Sequence, residues 1–251
     1  MDDDIPNLSA DFRLFLEGKK FSITDKSFLI KSSDIRESIY IPAYYDPEIT
    51  RVLRQFENSA YELLSIGELV DDGILEVRRG NEIGSENYGT GNIPFVRTSD
   101  IVNWEIKVDP IKCVSEDVYQ LFEKNQDVQP EDILFVSDGT FLIGRSAMVG
   151  EDDRKILIQS HVKKIRVLKR EKLDPYYLFF LMNSQLFKKQ VQSKTFVQAT
   201  ISTLGSRIYE ILLPIAKDLD EQRKYASQVK KIMDMKLKTR NLIRDLTQEN
   251  F

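Results

Sequence analysis

The chain has 251 residues, 41% of them hydrophobic and 30% charged, with a formal net charge of −4; this suits a soluble globular protein with length for one large domain, or one medium domain plus appendages. Cys113 is the only cysteine and His161 the only histidine, which excludes an internal disulfide and a Cys/His zinc site. No run of about 18 apolar residues is present, and Met1-Asp2-Asp3-Asp4 is acidic where a secretory signal is basic and then apolar. A cytoplasmic chain without metal, cofactor or membrane span is therefore expected.

Residues 1–59 read as an acidic lead-in, with short strand character around Phe28-Leu29-Ile30. Tyr40-Ile41-Pro42-Ala43-Tyr44-Tyr45-Asp46-Pro47 reads as extended chain, because each proline disfavours helix at the residue before it. Ile49, Val52, Leu53 and Phe56 share one face of a helix over 48–60. Residues 63–69 form a short strand or a helical turn before the Asp71-Asp72-Gly73 turn. From residue 73 onward, short β-type runs (74–77, 93–97, 133–136, 141–143, 147–149 and 162–168) alternate with glycine breaks. Residues 115–124 read as a short helix capped by Ser115. A second helical stretch covers 175–190, with Asp174 as N-cap and Pro175 in its first position. Residues 195–207 are polar with few apolar anchors, and 208–213 form a last strand closed by Pro214.

Residues 218–248 contain no glycine or proline and predict the longest helix, about 45 Å at 1.5 Å per residue. Ala226, Val229, Ile232, Met233, Leu237, Ile243 and Leu246 lie on or near one face. Such a stripe exceeds what short neighbouring helices can cover, so it asks for a partner helix from this chain or another copy; a helix lying flat on its own domain is the alternative. The expected class is α/β: a twisted, β-rich domain with short helices plus a long C-terminal helix. The expected divisions are 1–59, 60–214 and 215–251.

The charge is unevenly spread. Residues 1–136 hold 27 acids and 14 bases, whereas 137–211 hold 13 bases and 7 acids, and 212–251 hold 9 bases and 6 acids. The second half can therefore present a positive face to phosphates despite the negative total; the alternative is a merely solvated surface.

Several segments carry a resemblance. Gly91-Asn92-Ile93-Pro94-Phe95-Val96-Arg97-Thr98-Ser99-Asp100-Ile101 is followed by Val128-Gln129-Pro130-Glu131-Asp132-Ile133-Leu134-Phe135-Val136-Ser137-Asp138-Gly139-Thr140, then by Ile143-Gly144-Arg145 and Gln159-Ser160-His161-Val162. Asp174-Pro175-Tyr176-Tyr177-Leu178, Gln198-Ala199-Thr200, Leu213-Pro214 and Glu221-Gln222 come next in order. Together, over about residues 60–250, these resemble the specificity subunits of type I restriction-modification systems. A complete subunit of that family holds two recognition domains and two helical spacers; this chain has room for one of each.

The resemblance implies a target-recognition domain over 60–214 and a spacer and docking helix over 215–251. It also implies double-stranded DNA as ligand, an N6-adenine methyltransferase subunit and a restriction or motor subunit as partners, and a homodimer through the stripe from Ala226 to Leu246. Residues 36–47 look more like the segment that joins a methyltransferase to a fused recognition domain. A detached recognition module of a fused methyltransferase-nuclease is thus the second reading, and a stand-alone DNA-modifying enzyme the third.

Base reading needs side chains that donate and accept on protruding segments. Residues 80–91 offer Asn87 and Tyr88, and 137–145 offer Arg145. The favoured segment, 194–207, offers Lys194, Thr195, Gln198, Thr200, Ser202 and Arg207. Phosphate contacts, which set register without reading sequence, fall to Lys163, Lys188, Lys189 and Lys194, with Lys164 and Arg166 as further candidates. Asp138-Gly139-Thr140 suits a fold-maintaining turn, and Arg97 with Asp100 suits either DNA contact or an internal polar network. No catalytic residue is expected. Asp174-Pro175-Tyr176-Tyr177 has one proline where an adenine methyltransferase loop has two, and no Gly-x4-Gly-Lys-Ser/Thr motif occurs.

Overall fold

The computed structural model describes residues 5–20, 28–36, 39–57, 60–139, 141–198 and 201–248, except for the side chains of Gln198, Ile201 and Gln248. The chain divides into two compact units, residues 1–48 and 49–251.

In the first unit, α1 (Ile5–Leu16) stands in the stretch expected as an acidic lead-in. Ile5, Leu8, Phe12 and Phe15 recur at helical intervals, and all four are exposed. Residues 28–31 are irregular, not a strand. Pro42–Tyr45 is a 3-10 turn rather than extended chain. The Tyr45 hydroxyl holds the segment before it, donating to Ile39 O at 2.8 Å and accepting Arg36 N–H at 3.0 Å.

Helix α2 (Pro47–Arg54) carries Pro47 in its first turn and buries Ile49 and Leu53. Strand β1 (Tyr61–Ser65) runs directly into α3 (Ile66–Asp71), so both readings of 63–69 occur in succession. Ser65 Oγ accepts Glu68 N–H while the Glu68 carboxylate accepts Ser65 N–H, a capping box that fixes the switch. Strands β2 (Leu75–Arg79) and β3 (Phe95–Val96) follow, then a hairpin of β4 (Ile101–Val102) and β5 (Glu105–Ile106). Its two turn residues, Asn103 and Trp104, both have positive φ (52° and 75°), which suits the strand twist of a two-residue hairpin. The Trp104 ring meets Phe179 edge-on at 5.2 Å. Helix α4 (Glu116–Gln126) starts at Ser115, whose hydroxyl accepts Val118 N–H, and ends at left-handed Asp127.

Strands β6 (Ile133–Val136), β7 (Asp138–Gly139), β8 (Ser146–Met148), β9 (Leu157–Ile158) and β10 (Val162–Val167) come next. Residues 141–143, expected as a strand, are a turn: Gly144 N–H bonds Val136 O and Arg145 N–H bonds Leu142 O. The helical stretch after Asp174 is two helices, α5 (Pro175–Met182) and α6 (Gln185–Lys194), because the Ser184 hydroxyl caps a new start by accepting Phe187 N–H at 3.1 Å. Strands β11 (Phe196–Gln198) and β12 (Ile201–Thr203) precede a 3-10 turn at Gly205–Glu210, and β13 (Leu212–Ala216) runs through Pro214 rather than stopping there. Proline is tolerated because β13 pairs with β1 alone. Helix α7 (Leu219–Gln248) closes the chain.

The antiparallel sheet β2-β10-β6-β8 separates two cores, since successive side chains on a strand face opposite ways. Leu75, Ile133, Phe135, Ile165 and Val167 join α3, α5, α6 and α7 in the larger core. Leu134, Val136, Ala147 and Val162 join Val96, Ile101, Ile106 and Ile158 in the other. Next to that second core, Lys164 is fully buried and pairs with Glu76 at 3.1 Å, while Arg166 pairs with Asp132 at 2.7 Å and Asp127 at 2.6 Å.

Helix α7 does not leave the body along its whole length. Ala226 and Val229 are buried in the larger core and Met233 packs against it. Lys236 pairs with Glu105 at 2.9 Å and Arg240 with Asp153 at 3.2 Å. The stripe expected to face a partner therefore splits. Ala226, Val229 and Met233 serve the chain's own fold, and Leu237 is half-buried. Ile232, Ile243 and Leu246 are exposed, together with Met235 and Leu242.

Candidate nucleic-acid interface

The loop from β7 to β8 links two open surfaces. On one side lies a cleft of about 450 Å³, lined by Asn103, Trp104, Arg145, Ser146, Asn183, Lys188 and Gln192 with a few apolar groups. No described residue lining it is a carboxylate. Arg145 and Lys188 are both exposed, so two residues proposed from sequence, 43 positions apart, meet on one cleft. Its floor is fixed: Asn183 Nδ2 donates to Ser146 Oγ at 3.0 Å and to Phe179 O at 2.8 Å. Cations flanked by amides suit phosphate and base-edge contacts together.

On the other side lies the small sheet β11-β12-β7. Its register aligns Val197 with Ser202 and Ser202 with Gly139, so these three share a face. Val197 is 72% exposed, and a Cβ built on Gly139 meets nothing within 4 Å; this face is open to solvent. The opposite face is tied down. Asp138, aligned with Thr203, accepts the hydroxyls of Thr203 and Ser137. These bonds hold the Asp138 carboxyl below its usual range although burial pushes it up.

The favoured segment 194–207 is better anchored than its polarity suggested. Lys194 pairs with Glu210 at 3.2 Å, and Thr195 Oγ1 donates to Val191 O. Arg207 donates to Lys194 O and Thr203 O, both at 2.7 Å, and stacks over Phe196 at 3.9 Å. Ser202 alone of the described candidates there sits on the open face. Thr200 and the side chain of Gln198 lie outside the described residues.

The remaining candidates scatter. Lys163 is half-buried near Asp138; burial pushes its ammonium below the usual lysine range while Asp138 opposes the shift. Lys189 is half-buried on α6. Tyr88 packs on Phe95 at 5.8 Å with the Lys112 ammonium over its ring, and the Asn87 amide donates to Glu86; neither lines the cleft. Lys164 and Arg166, in their buried network, are withdrawn from phosphates. Arg97 belongs to an internal network, bonding Asp100 through Nε and Nη2 and reaching Asp109 at 2.9 Å. Sequence reasoning missed Asn183, which read as an interior helix residue, Gln192, which lies just past the expected end of that helix at 190, and Phe141, assigned to a strand. The helix break before Ser184 was the available signal for Asn183.

Residues 58–248 match the model of the type I restriction modification DNA specificity domain. The chain belongs to that family. The S subunit of the type I restriction-modification system of M. genitalium has a similar fold, with a TM-score of 0.53 at 14% identity over 77% of this chain and 44% of that one. The HsdS subunit of Thermoanaerobacter tengcongensis aligns over 75% of this chain and 44% of its own, at 14% identity and a TM-score of 0.46. This specificity domain chain thus spans under half the length of those subunits. No curated protein matches it. Among the described residues, no helix is long and apolar enough to cross a membrane, and no group of three or more His, Cys, Asp or Glu is placed to hold a metal ion.

Proposed function

We propose that the chain reads a DNA half-site for a type I restriction-modification system and delivers an N6-adenine methyltransferase subunit, and with it a restriction or motor subunit, to that site. The observation that carries this reading is the acid-free cleft where Arg145 and Lys188 meet beside the open face of Ser202. By contrast, the pocket under α7 sets five carboxylates, Glu105, Glu131, Glu151, Asp153 and Asp234, against two cations, Lys236 and Arg240, that are already paired with Glu105 and Asp153, a poor surface for phosphates. Residues 60–214 act as the recognition domain. Residues 215–251 supply the spacer, whose first half is part of the domain's own fold.

The exposed residues Ile232, Met235, Leu242 and Leu246, with Thr239 between them, follow the alternating three- and four-residue spacing of a coiled-coil seam. Two copies pairing through this seam would read two half-sites at a fixed gap, following two-fold logic. The test is binding of the full chain to a randomised duplex pool across a salt series. Enrichment of one sequence, weakening steeply with salt, supports the reading. Uniform binding of every duplex, or none, contradicts it.

A further inference from the structure

Phe141 is 89% exposed, the highest value among the described large apolar side chains. The residues that follow it in its loop are nevertheless fixed. Leu142 packs against the second core and Ile143 against the larger one. Gly144, at φ 91°, lies so close to α6 that a Cβ there would meet Val191 Cγ1 at 3.4 Å. Gly144 N–H bonds Val136 O at 3.0 Å and Val136 N–H bonds Arg145 O at 2.9 Å. The ring thus stands in water at the start of an anchored segment, residues 142–145.

The position of that loop narrows the role. It leaves the sheet at Gly139, on the open face with Ser202 and Val197, and arrives at Arg145 on the cationic cleft. If Arg145 and Lys188 grip backbone phosphates, the segment between them and the sheet faces the groove. A phenyl ring offers no donor or acceptor to a base edge. The apolar group that a base pair displays in the major groove is the 5-methyl of thymine.

We propose that Phe141 is a specificity-determining residue that packs its ring on a thymine methyl in the major groove. This rests on the DNA-reading function proposed above.

The test selects binders from a randomised duplex library with the full chain, once with thymine and once with uracil in its place, using wild type, Phe141→Ala and Phe141→Leu. Wild type is expected to enrich a site with a thymine preference at one position. That preference disappears with Phe141→Ala and in the uracil library, and persists with Phe141→Leu. On the selected site, Phe141→Ala and the uracil substitution each weaken binding about tenfold, and together no more than either alone. The exposed position leaves the thermal midpoint of Phe141→Ala unchanged. An unaltered thymine preference in Phe141→Ala overturns the proposal, as does an equal loss on thymine and uracil sites, which marks an unstacking wedge. If wild type enriches no sequence at all, the DNA-reading function itself fails and the thymine contact falls with it.

Discussion

The side-chain carbonyl of Gln222 accepts the backbone N–H of Asp174 at 3.0 Å, tying the first turn of α7 to the N-cap of α5. The same amide donates to Lys172 O at 3.0 Å and Ala216 O at 2.8 Å. A single buried side chain thereby fixes where the long helix leaves the domain. Gln222→Leu leaves the buried Ala216 O and the part-buried Asp174 N–H and Lys172 O without this partner, and a buried unsatisfied group costs about 1–3 kcal/mol. A loss of at least 2 kcal/mol is expected in urea unfolding, and a larger loss for Gln222→Glu, whose carboxylate cannot donate to the two carbonyls. A midpoint unchanged in Gln222→Leu would show that α7 is held elsewhere.

Tyr177 sits behind the same junction, its hydroxyl donating to Pro214 O at 3.1 Å and accepting Ala216 N–H at 3.2 Å. Burial pushes its phenol from 10 to about 12, against the pull of the Ala216 N–H. The folded state therefore keeps a proton that the unfolded chain loses near pH 10. The stability gained is complete below that value and disappears as pH rises towards 12. Thermal midpoints measured from pH 8 to 12 should fall more steeply in wild type than in Tyr177→Phe, which starts lower because two hydrogen bonds are gone.

Arg145→Ala and Lys188→Ala are expected to weaken duplex binding, each lowering the salt slope by about one, with no change in thermal midpoint because both side chains are exposed. Arg166→Gln is the counterpart. It takes from Asp132, 1% exposed, its guanidinium partner and leaves only Lys164 at 4.0 Å and the Gln129 N–H at 2.8 Å; breaking a buried pair costs about 3–5 kcal/mol. Its damage should appear in unfolding before it appears in the salt slope. Equal salt slopes for wild type and both cleft variants would remove the cleft from the interface.

The contrast between Arg166 and Arg145 shows what the sequence made legible. Strand β10 and its alternation were readable from Val162-Lys163-Lys164-Ile165-Arg166-Val167, but alternation does not say which side of a sheet holds a second core. Lys164 and Arg166 look like surface cations until Glu76, Asp127 and Asp132 arrive from β2, the α4 end and the turn before β6. Local signals did well where the cause is local: the Ser115 cap, the Asp174-Pro175 helix start, and the unbroken helix after Leu219. They failed at residues 141–143, where three apolar residues serve two cores and the solvent separately. They failed again along α7, where the inner residues Ala226 and Val229 and the outer Ile232, Ile243 and Leu246 were read as one stripe. Only the position of α5 separates those two faces.

That separation makes the two faces of α7 distinguishable by mutation. Leu242→Glu lies on the exposed seam and is expected to leave folding intact while abolishing self-association in light scattering. Ala226→Glu puts a charge into the larger core and should unfold the domain. A wild-type chain that stays monomeric at all concentrations would retire the paired arrangement.

The most direct test of the central claim is long-read mapping of N6-methyladenine in a host carrying the chain with its methyltransferase subunit, compared with the same host lacking the chain and with one carrying the Arg145→Ala, Lys188→Ala double variant. The account predicts a defined methylated motif with the intact chain, its disappearance on deletion, and its loss or depletion in the double variant. An unchanged set of methylated motifs in all three strains would contradict it.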